Sequence, residues 1–264
     1  MTTTVAYYNG KIVPHDTVSV PIYDAGFVLG TTITEQLRTF GQKLFRLDQH
    51  LARLKTSLEL VGIDLPLNMA ELGQVAEEVV AHNAALLDDG EEDLGLAIWI
   101  TPGPYPTMAP PDVSGPSVCL HTYQLPFSLW ADKYEKGLAL AVPEIRQVSA
   151  RCWPRELKCR SRMHYYLADR QANEIDPGAR ALLLDEDDFV TEATTASLVI
   201  YRQDEGLISP CKQRVLPGIS VAAVEELAVT MGVPFLNRDI TIDDIATADE
   251  ALLASTTSCA LPVV

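Results

Sequence analysis

The chain has 264 residues, of which 47% are hydrophobic, and a formal net charge of −16. This length and apolar content predict one large or two ordinary folded domains and disfavour disorder. The negative charge disfavours nucleic acid as a partner, because its phosphates would be repelled.

The five cysteines are dispersed, with no Cys-x-x-Cys pair and no paired histidine spacing typical of zinc. Such usage favours a reducing compartment. The start of the chain carries no basic and apolar signal segment, and no apolar stretch reaches the roughly 18 residues of a membrane span. We therefore predict a cytoplasmic protein without a metal centre or a membrane partner.

The first elements are short strands at Val5 to Tyr8, Lys11 to Val13 and Val18 to Ile22, with a turn at Asn9-Gly10. A helix capped by Asp48 follows, and its apolar stripe leaves Arg53 displayed on another face together with His50 and Ser57. The stripe consists of Leu51, Leu54, Leu58 and Val61.

A second helix begins at the capping-box pattern of Asn68 and Glu71 and runs towards Leu87. Later strands are predicted at 94–100, 117–122, 138–142, 181–184, 198–201 and 251–254, and later helices at about 163–174 and 220–231. A new series of strand-like and helical segments begins after about residue 125. We therefore predict two α/β domains, an N-terminal domain over 1–124 and a C-terminal domain over 125–264.

Lys158 and Glu192 form the most informative pair of side chains. A lysine amine can form a Schiff base with a carbonyl, and a carboxylate at the far end of a bound pyridine ring keeps the ring nitrogen protonated. Together they suggest pyridoxal phosphate. The alternative is that each residue is only a solvated surface charge.

Two further segments could bind phosphate. Gly218, Ile219 and Ser220 immediately precede an apolar helical pattern, so their amides would lie at a helix N-terminus, which attracts anions. Ser255, Thr256 and Thr257 end the last predicted strand and offer hydroxyl and amide donors. A helix cap and a polar strand end are the competing interpretations.

Several motifs follow one another in a characteristic order: Tyr8-Asn9-Gly10, Asp24-Ala25-Gly26-Phe27, Gly30, Glu35 and His50-Leu51-Ala52-Arg53-Leu54. This succession resembles the opening of the fold-type IV pyridoxal-phosphate enzymes, the class IV aminotransferases, and the resemblance covers nearly the whole chain. The family includes branched-chain and D-amino-acid aminotransferases, (R)-amine transaminases and aminodeoxychorismate lyase. The resemblance implies an α/β fold with a smaller N-terminal domain and a larger mixed C-terminal domain, in a homodimer.

The resemblance also implies residue roles. Lys158 looks like the Schiff-base lysine, Glu192 like the partner of the pyridine nitrogen, and Arg53 like the arginine that binds the cofactor phosphate. Gly218, Ile219, Ser220 and Thr256 look like the remaining phosphate site. Thr257 then lies in the turn that approaches the substrate.

The chain departs from the family at positions that affect the substrate. Leu29 and Thr34 stand where branched-chain enzymes usually carry aromatic pocket residues. Many members have a tyrosine four or five residues after the lysine, where this chain has Arg162 and Met163, and Tyr165 comes later. The chain stops at Val264, whereas family members usually continue through a Gly-rich segment, so we expect pocket closure to be affected.

Arginines are dense around Lys158, at positions 151, 155, 160 and 162. Guanidinium groups suit carboxylate binding, so the cluster indicates a carboxylated substrate, with Arg162 as a candidate contact. Thr34 is a separate candidate substrate contact. The arginines could equally pair with the surplus of acidic groups, and Arg38 is a competing candidate.

The resemblance implies an aminotransferase that moves an amino group between an amino acid and a 2-oxo acid through the Lys158 Schiff base. One alternative is an aminodeoxychorismate lyase that eliminates pyruvate with the same lysine. Another is a noncatalytic protein that binds pyridoxal phosphate. The paired Lys158 and Glu192 argue against the last, because a phosphate binder needs no electron sink.

Overall fold

A computed structural model describes residues 3–87 and 93–264, which form two compact units. Unit 1 comprises Met1–Leu125 and Leu157–Ser161, and unit 2 comprises Pro126–Glu156 and Arg162–Val264. Residues 157–161, which carry Lys158, therefore belong to unit 1. Over the described ranges, no helix has the length and apolar character needed to span a bilayer.

Unit 1 is a six-stranded antiparallel sheet with helices on one face. Its elements are β1 (Val5–Tyr8), β2 (Lys11–Pro14), α1 (Ala25–Val28), β3 (Ile33–Phe40), β4 (Lys43–Leu44), α2 (Leu47–Val61), α3 (Met69–Ala84), β5 (Leu94–Thr101) and β6 (Ser117–Gln124). The strand order is β2-β1-β6-β5-β3-β4. The turn predicted at Asn9-Gly10 is confirmed between β1 and β2. Both residues have positive φ, 46° and 87°, as a tight hairpin requires.

The core of unit 1 lies between this sheet and helices α2 and α3. Alternate residues of a strand point to the same face, so Ile33 and Leu37 of β3 enter the core with Leu54 of α2 and Leu72 of α3. Glu35 lies between Ile33 and Leu37 in the same row. A carboxylate is therefore buried between two apolar core residues of the same strand.

Three sequence expectations for unit 1 are wrong. Residues 18–22 form no strand, because Pro21 offers no N–H and its carbonyl accepts a turn bond from Asp24 N at 2.9 Å. Asp48 is not the cap of α2, which begins one residue earlier after Arg46, a residue with left-handed φ of 52°. Arg53 is not displayed, since its side chain is 9% exposed.

The capping box at Asn68 is confirmed. Its side chain accepts from the amides of Ala70 and Glu71, while Glu71 accepts from Asn68 N at 2.7 Å. Helix α3 ends at Ala84, before the predicted Leu87.

Unit 2 is built on an eight-stranded mixed sheet. Its elements are α4 (Lys133–Lys136), β7 (Leu140–Ala141), α5 (Met163–Ile175), β8 (Arg180–Leu184), β9 (Val190–Ala193), β10 (Ala196–Arg202), β11 (Gly206–Pro210), α6 (Ile219–Met231), β12 (Phe235–Arg238), α7 (Ile242–Ala246), β13 (Glu250–Ser255) and β14 (Cys259–Pro262). The order β12-β11-β10-β9-β8-β7 is extended by β13, which pairs with β10 and β14.

Unit 2 has two apolar clusters. One groups strand residues such as Leu182, Leu198 and Leu253, and the other packs Ala168 and Ala172 of α5 onto strand β8. The helices predicted at 163–174 and 220–231 are confirmed as α5 and α6 to within one residue, whereas the strand predicted at 138–142 shortens to β7. These elements carry the unit 2 side chains described next.

Candidate active site

In unit 1, Glu35 is the centre of a buried charged cluster. Arg53 donates to it twice, from Nε to Oε1 at 2.7 Å and from Nη2 to Oε2 at 2.9 Å. His50 Nδ1 lies 2.8 Å from Oε2. The Glu35 side chain is 0% exposed, so the charge pair is removed from water. Glu35 therefore fixes the guanidinium of Arg53.

The cluster has a defined protonation state. Burial raises the pKa of Glu35, but hydrogen bonds from Arg53 and His50 and the charges of Arg53 and Lys158 outweigh it and lower the pKa to about 2. Burial lowers the pKa of His50, and its contact with Glu35 offsets this only in part. The imidazole is therefore neutral at neutral pH, and its Nδ1–H donates to the carboxylate.

Lys158 is held on two sides within unit 1. Its segment pairs with the start of β3 through a bridge between Cys159 and Ile33. Thr34 N donates to the Lys158 carbonyl at 3.1 Å, and Lys158 N donates to Ser57 Oγ of α2, also at 3.1 Å. Ser57, like His50, is buried, contrary to the expectation of a displayed face. The backbone of Lys158 is thereby fixed in register.

Thr34 and Arg38 are committed to contacts inside unit 1. The buried Thr34 hydroxyl donates to the Ile98 carbonyl at 2.9 Å. Arg38 is also buried, donates from Nε to the Thr39 carbonyl at 3.1 Å, lies 3.6 Å from Asp93 and stacks over the Phe40 ring at 4.1 Å. Both side chains therefore have structural partners.

In unit 2, Glu192 of β9 receives two neutral donors on one oxygen. Gln147 Nε2 donates to Oε1 at 2.6 Å, and Tyr165 Oη donates to the same atom at 2.5 Å. Glu192 is 7% exposed. Burial and the Glu192 charge raise the pKa of Tyr165 well above its ordinary value, so the phenol remains protonated and acts as a donor.

His164 packs against the donor Tyr165, with ring centroids 4.2 Å apart. Burial lowers the pKa of His164 to about 4, with the charges of Arg162 and Arg155 adding to the effect. The imidazole is therefore neutral at neutral pH, and it supports the Tyr165 ring as an uncharged neighbour.

Helix α6 has an N-terminus suited to an anion. Gly218 is its N-cap residue, and no side chain caps the first turn. The N–H groups of the first turn point out of the N-terminal end of a helix, where the positive end of the helix dipole lies. Thr256 and Thr257 lie in the turn between β13 and β14, where both are partly exposed. The phosphate site that the sequence indicates at these two elements stays a prediction.

The arginines predicted as one cluster divide between the units. Arg160 lies in unit 1, and Arg151, Arg155 and Arg162 lie in unit 2. The Arg155 guanidinium donates to the Val148 carbonyl and lies 3.9 Å from Glu186. Arg155 therefore pairs with an acidic group of the protein, which was the alternative to binding a substrate carboxylate.

The predicted site residues are distributed over both units. Unit 1 holds Thr34, Arg38, Arg53 and Lys158, and unit 2 holds Arg162, Glu192, Gly218, Ile219, Ser220, Thr256 and Thr257. Sequence reasoning missed the contacts of Glu35 and Gln147. The row Ile33, Glu35, Leu37 carries only a weak signal for Glu35, because the carboxylate interrupts the apolar alternation that would identify the strand. Gln147 lies in a loop and carries no comparable signal.

The residues in each unit fit pyridoxal phosphate, whose reactive parts are an aldehyde, a ring nitrogen and a phosphate. Unit 1 supplies a lysine amine on a fixed backbone and an oriented guanidinium. Unit 2 supplies a buried carboxylate held by neutral donors and a helix N-terminus without a side-chain cap. These are the groups that the chemistry of the cofactor requires.

Comparison with known proteins identifies the family. Residues 32–264 match the model of the family described as amino-transferase class IV. The chain is 28% identical over 257 residues to the D-alanine aminotransferase of Bacillus licheniformis, covering 97% of this chain and 86% of that protein.

Solved structures of branched-chain aminotransferases share the fold. The enzyme from Thermoproteus uzoniensis with norvaline gives a TM-score of 0.85 at 23% identity, covering 99% of this chain and 86% of that one. The T.th. enzyme with pyridoxamine 5′-phosphate gives 0.86 at 22% identity, covering 99% and 85%. The predicted fold-type IV architecture is thereby confirmed.

The relatives just described are aminotransferases, so the lyase and the noncatalytic alternatives are not favoured. Pyridoxal phosphate is the cofactor of the matched family, and a structure with the same fold contains its pyridoxamine form. Because the family model covers most of the chain, this protein belongs to the class IV aminotransferases, pyridoxal-phosphate enzymes that move an amino group between an amino acid and a 2-oxo acid.

Proposed function

We propose that Lys158 is the catalytic residue of this aminotransferase. Bound pyridoxal phosphate supplies an electron-withdrawing ring that makes the α-hydrogen of the substrate acidic. Lys158 Nζ would hold the cofactor through its aldehyde, and the same amine would serve as the base that takes the proton from the substrate α-carbon. The observation that carries this role is the backbone of Lys158, which is fixed by bonds to Thr34 and Ser57.

Glu192 would accept a hydrogen bond from the ring nitrogen of the cofactor and keep that nitrogen protonated. A carboxylate in this position keeps the ring protonated and strengthens its pull on electrons. Support comes from the burial of Glu192 and from the two hydrogen bonds that Gln147 and Tyr165 donate to its carboxylate.

The residues that would hold the cofactor phosphate are Arg53 and, at the first turn of α6, Gly218, Ile219 and Ser220, with Thr256 as a further ligand. Glu35 orients the Arg53 guanidinium through two hydrogen bonds, which supports a fixed anchor. Binding energy from such an anchor positions the reacting carbon at a distance from it.

For the substrate, Arg162 and Thr257 are the proposed contacts. Arg162 is the partly exposed N-cap residue of α5, and Thr257 lies in the turn after β13. Arg38 and Thr34 are further candidate contacts, whose side chains also lie against Asp93 and the Ile98 carbonyl.

The proposed assembly is a cytoplasmic homodimer, in which unit 1 and unit 2 correspond to the N-terminal and C-terminal domains. Ile22, Phe27 and Leu29 of unit 1 are strongly exposed apolar side chains, which supports a contact surface. The dispersed, odd-numbered cysteines support the location. Sedimentation at micromolar concentration tests the dimer, and a monomer there would contradict it.

Replacement of Lys158 by alanine tests the catalytic proposal. We expect Lys158→Ala to lose the absorption band that pyridoxal phosphate acquires on the protein, and to lower turnover by at least about 1000-fold, as removal of a nucleophile does. Lys55→Ala, at an exposed helix position, is the matched control and should retain both properties. Undiminished turnover in Lys158→Ala would overturn the assignment.

The same spectrum reports the amino donor. The cofactor-loaded protein is mixed with single L- and D-amino acids without an acceptor. Conversion of the cofactor band by one of them identifies the donor and its handedness. A band that none of them converts would instead support the lyase alternative.

A further inference from the structure

The carboxylate of Glu192 is held asymmetrically. Gln147 Nε2 and Tyr165 Oη both donate to Oε1, at 2.6 and 2.5 Å. Two donors on one oxygen define the rotation of the carboxylate about its last bond, because turning it would break both contacts. Glu192 thus presents a single orientation.

The donors are themselves fixed. Gln147 N donates to the Leu184 carbonyl of β8 at 2.9 Å, and Gln147 Oε1 accepts from Val148 N at 2.9 Å. The second contact sets the amide so that Nε2 is the group facing Glu192. The backbone of Glu192 is held in register by pairing with Ser197 of β10. Each part of the contact is therefore tied to the sheet.

Tyr165 reaches Glu192 from helix α5. Its ring packs on His164, with centroids 4.2 Å apart. The neighbouring Tyr166 is 69% exposed, so the two tyrosines of this helix have opposite environments. The difference provides an internal control for removal of a phenol hydroxyl.

Neutral donors have a chemical advantage over a cation at this carboxylate. An arginine or lysine would compete electrostatically with a protonated ring for the same negative charge. An amide and a phenol stabilise the carboxylate by hydrogen bonds and leave its net charge unchanged.

We propose that Tyr165 and Gln147 are positioning residues, which orient Glu192 towards the cofactor ring nitrogen and do not act through contact with the substrate. This inference rests on the proposed role of Glu192. Tyr165 acts here through Glu192 and is distinct from the tyrosine that many relatives have nearer the lysine. Met163, at one of those nearer positions, is strongly exposed.

A double-mutant cycle tests the inference. Glu192→Gln, Tyr165→Phe and their combination are compared by kcat, by KM, by the absorption maximum of the bound cofactor and by the cofactor dissociation constant of the apoprotein. Loss of a hydrogen bond to a charged group predicts a kcat for Tyr165→Phe lowered by about 10-fold, with KM changed by less than about 2-fold. Tyr166→Phe should match the unaltered protein.

The cycle distinguishes action through Glu192 from independent action. We expect Tyr165→Phe to shift the cofactor absorption maximum in the same direction as Glu192→Gln, and to lower kcat by less than about 2-fold when Glu192→Gln is already present. Multiplicative losses in the double variant would overturn the inference. So would a Tyr165→Phe protein with a lower melting temperature but unchanged kcat and spectrum, since that result describes a structural role.

Glu192→Gln alone separates the inference from the proposal on which it rests. If its kcat and cofactor spectrum match the unaltered protein, the role proposed for Glu192 fails, and the inference fails with it. If Glu192→Gln is impaired while Tyr165→Phe is not, only the inference fails. Should Tyr165→Phe not fold, Gln147→Leu enters the same cycle with the same expected outcomes and decides the matter.

Discussion

Glu35 in unit 1 and Glu192 in unit 2 are both buried carboxylates, but their donors differ in kind. Glu35 is held by the charged fork of Arg53 and by neutral His50, whereas Glu192 is held by the amide of Gln147 and the phenol of Tyr165. The first arrangement satisfies the carboxylate internally and in return fixes an arginine. The second restrains the carboxylate through two neutral donors on one oxygen. The same side chain thus serves as an orienting group in one unit and as a candidate ligand in the other.

Removal of the charge at Glu35 should have the largest effect on stability. Glu35→Gln leaves the Arg53 guanidinium buried without its counter-charge, and breaking a buried pair in this way costs about 3–5 kcal/mol. Urea unfolding of the two proteins measures the difference in the free energy of unfolding. A loss below about 1 kcal/mol would show that the pair is not desolvated as described.

The acid dependence of stability should follow from the same group. The pKa of Glu35 is lowered from 4.5 to about 2 in the folded chain, so the unfolded state binds the proton first as the pH falls. The stability contributed by Glu35 is therefore fully present above pH 4.5 and is lost as the pH falls towards 2. This shift corresponds to about 3 kcal/mol.

The measurement compares unfolding free energies between about pH 6 and about pH 2.5 for the unaltered protein and Glu35→Gln. We expect the stability difference between them to shrink over the acid part of this range. His50 adds a change of the same sign nearer its ordinary pKa, because its own pKa is lowered by burial. Parallel curves for the two proteins would contradict the assignment of the acid dependence to Glu35.

Removal of a neutral donor from Glu192 should have a smaller effect. Gln147→Leu deletes one hydrogen bond to a charged group, and we expect a loss of about 1.5–3 kcal/mol in unfolding free energy. Tyr165 continues to donate to the same oxygen, which should keep the loss near the lower figure. Thermal and urea unfolding measure it, and a loss as large as that of Glu35→Gln would erase the distinction between the two carboxylates.

The sequence predicts the elements whose patterns are strong. The apolar runs of β5, β8 and β10 and the capping box of α3 are confirmed, because burial on a sheet and a local side-chain cap both leave a direct mark in the residues. Strand β3 is not predicted from the sequence, because Glu35 in its core row interrupts the apolar alternation. The start of α2 is missed because the left-handed backbone of Arg46 leaves no compositional signal.

The residues of the candidate site likewise divide into those that the sequence predicts and those that it does not. Lys158, Glu192 and the first turn of α6 are predicted from residue type and order, since their chemistry is local. The donors to Glu192 are not, because Gln147 lies 45 positions away in the chain and reaches it only through the fold of unit 2. Burial of Arg53 likewise follows from Glu35 on a strand that the pattern does not predict.

An exposed ion pair sets the lower limit of the comparison. Lys55 and Glu59 lie 3.7 Å apart on α2, with side chains 63% and 66% exposed. Glu59→Gln makes the same chemical change as Glu35→Gln, but water screens the charges of this exposed pair both before and after the substitution.

For Glu59→Gln we expect the free energy of unfolding to change by less than about 0.5 kcal/mol, and we expect this change to disappear in high salt. Urea unfolding at two salt concentrations measures it. A loss above about 1 kcal/mol would mean that charge alone, rather than its burial, accounts for the effect at Glu35. The difference between the two variants therefore isolates the contribution of desolvation, since helix α2 contributes a side chain to both pairs.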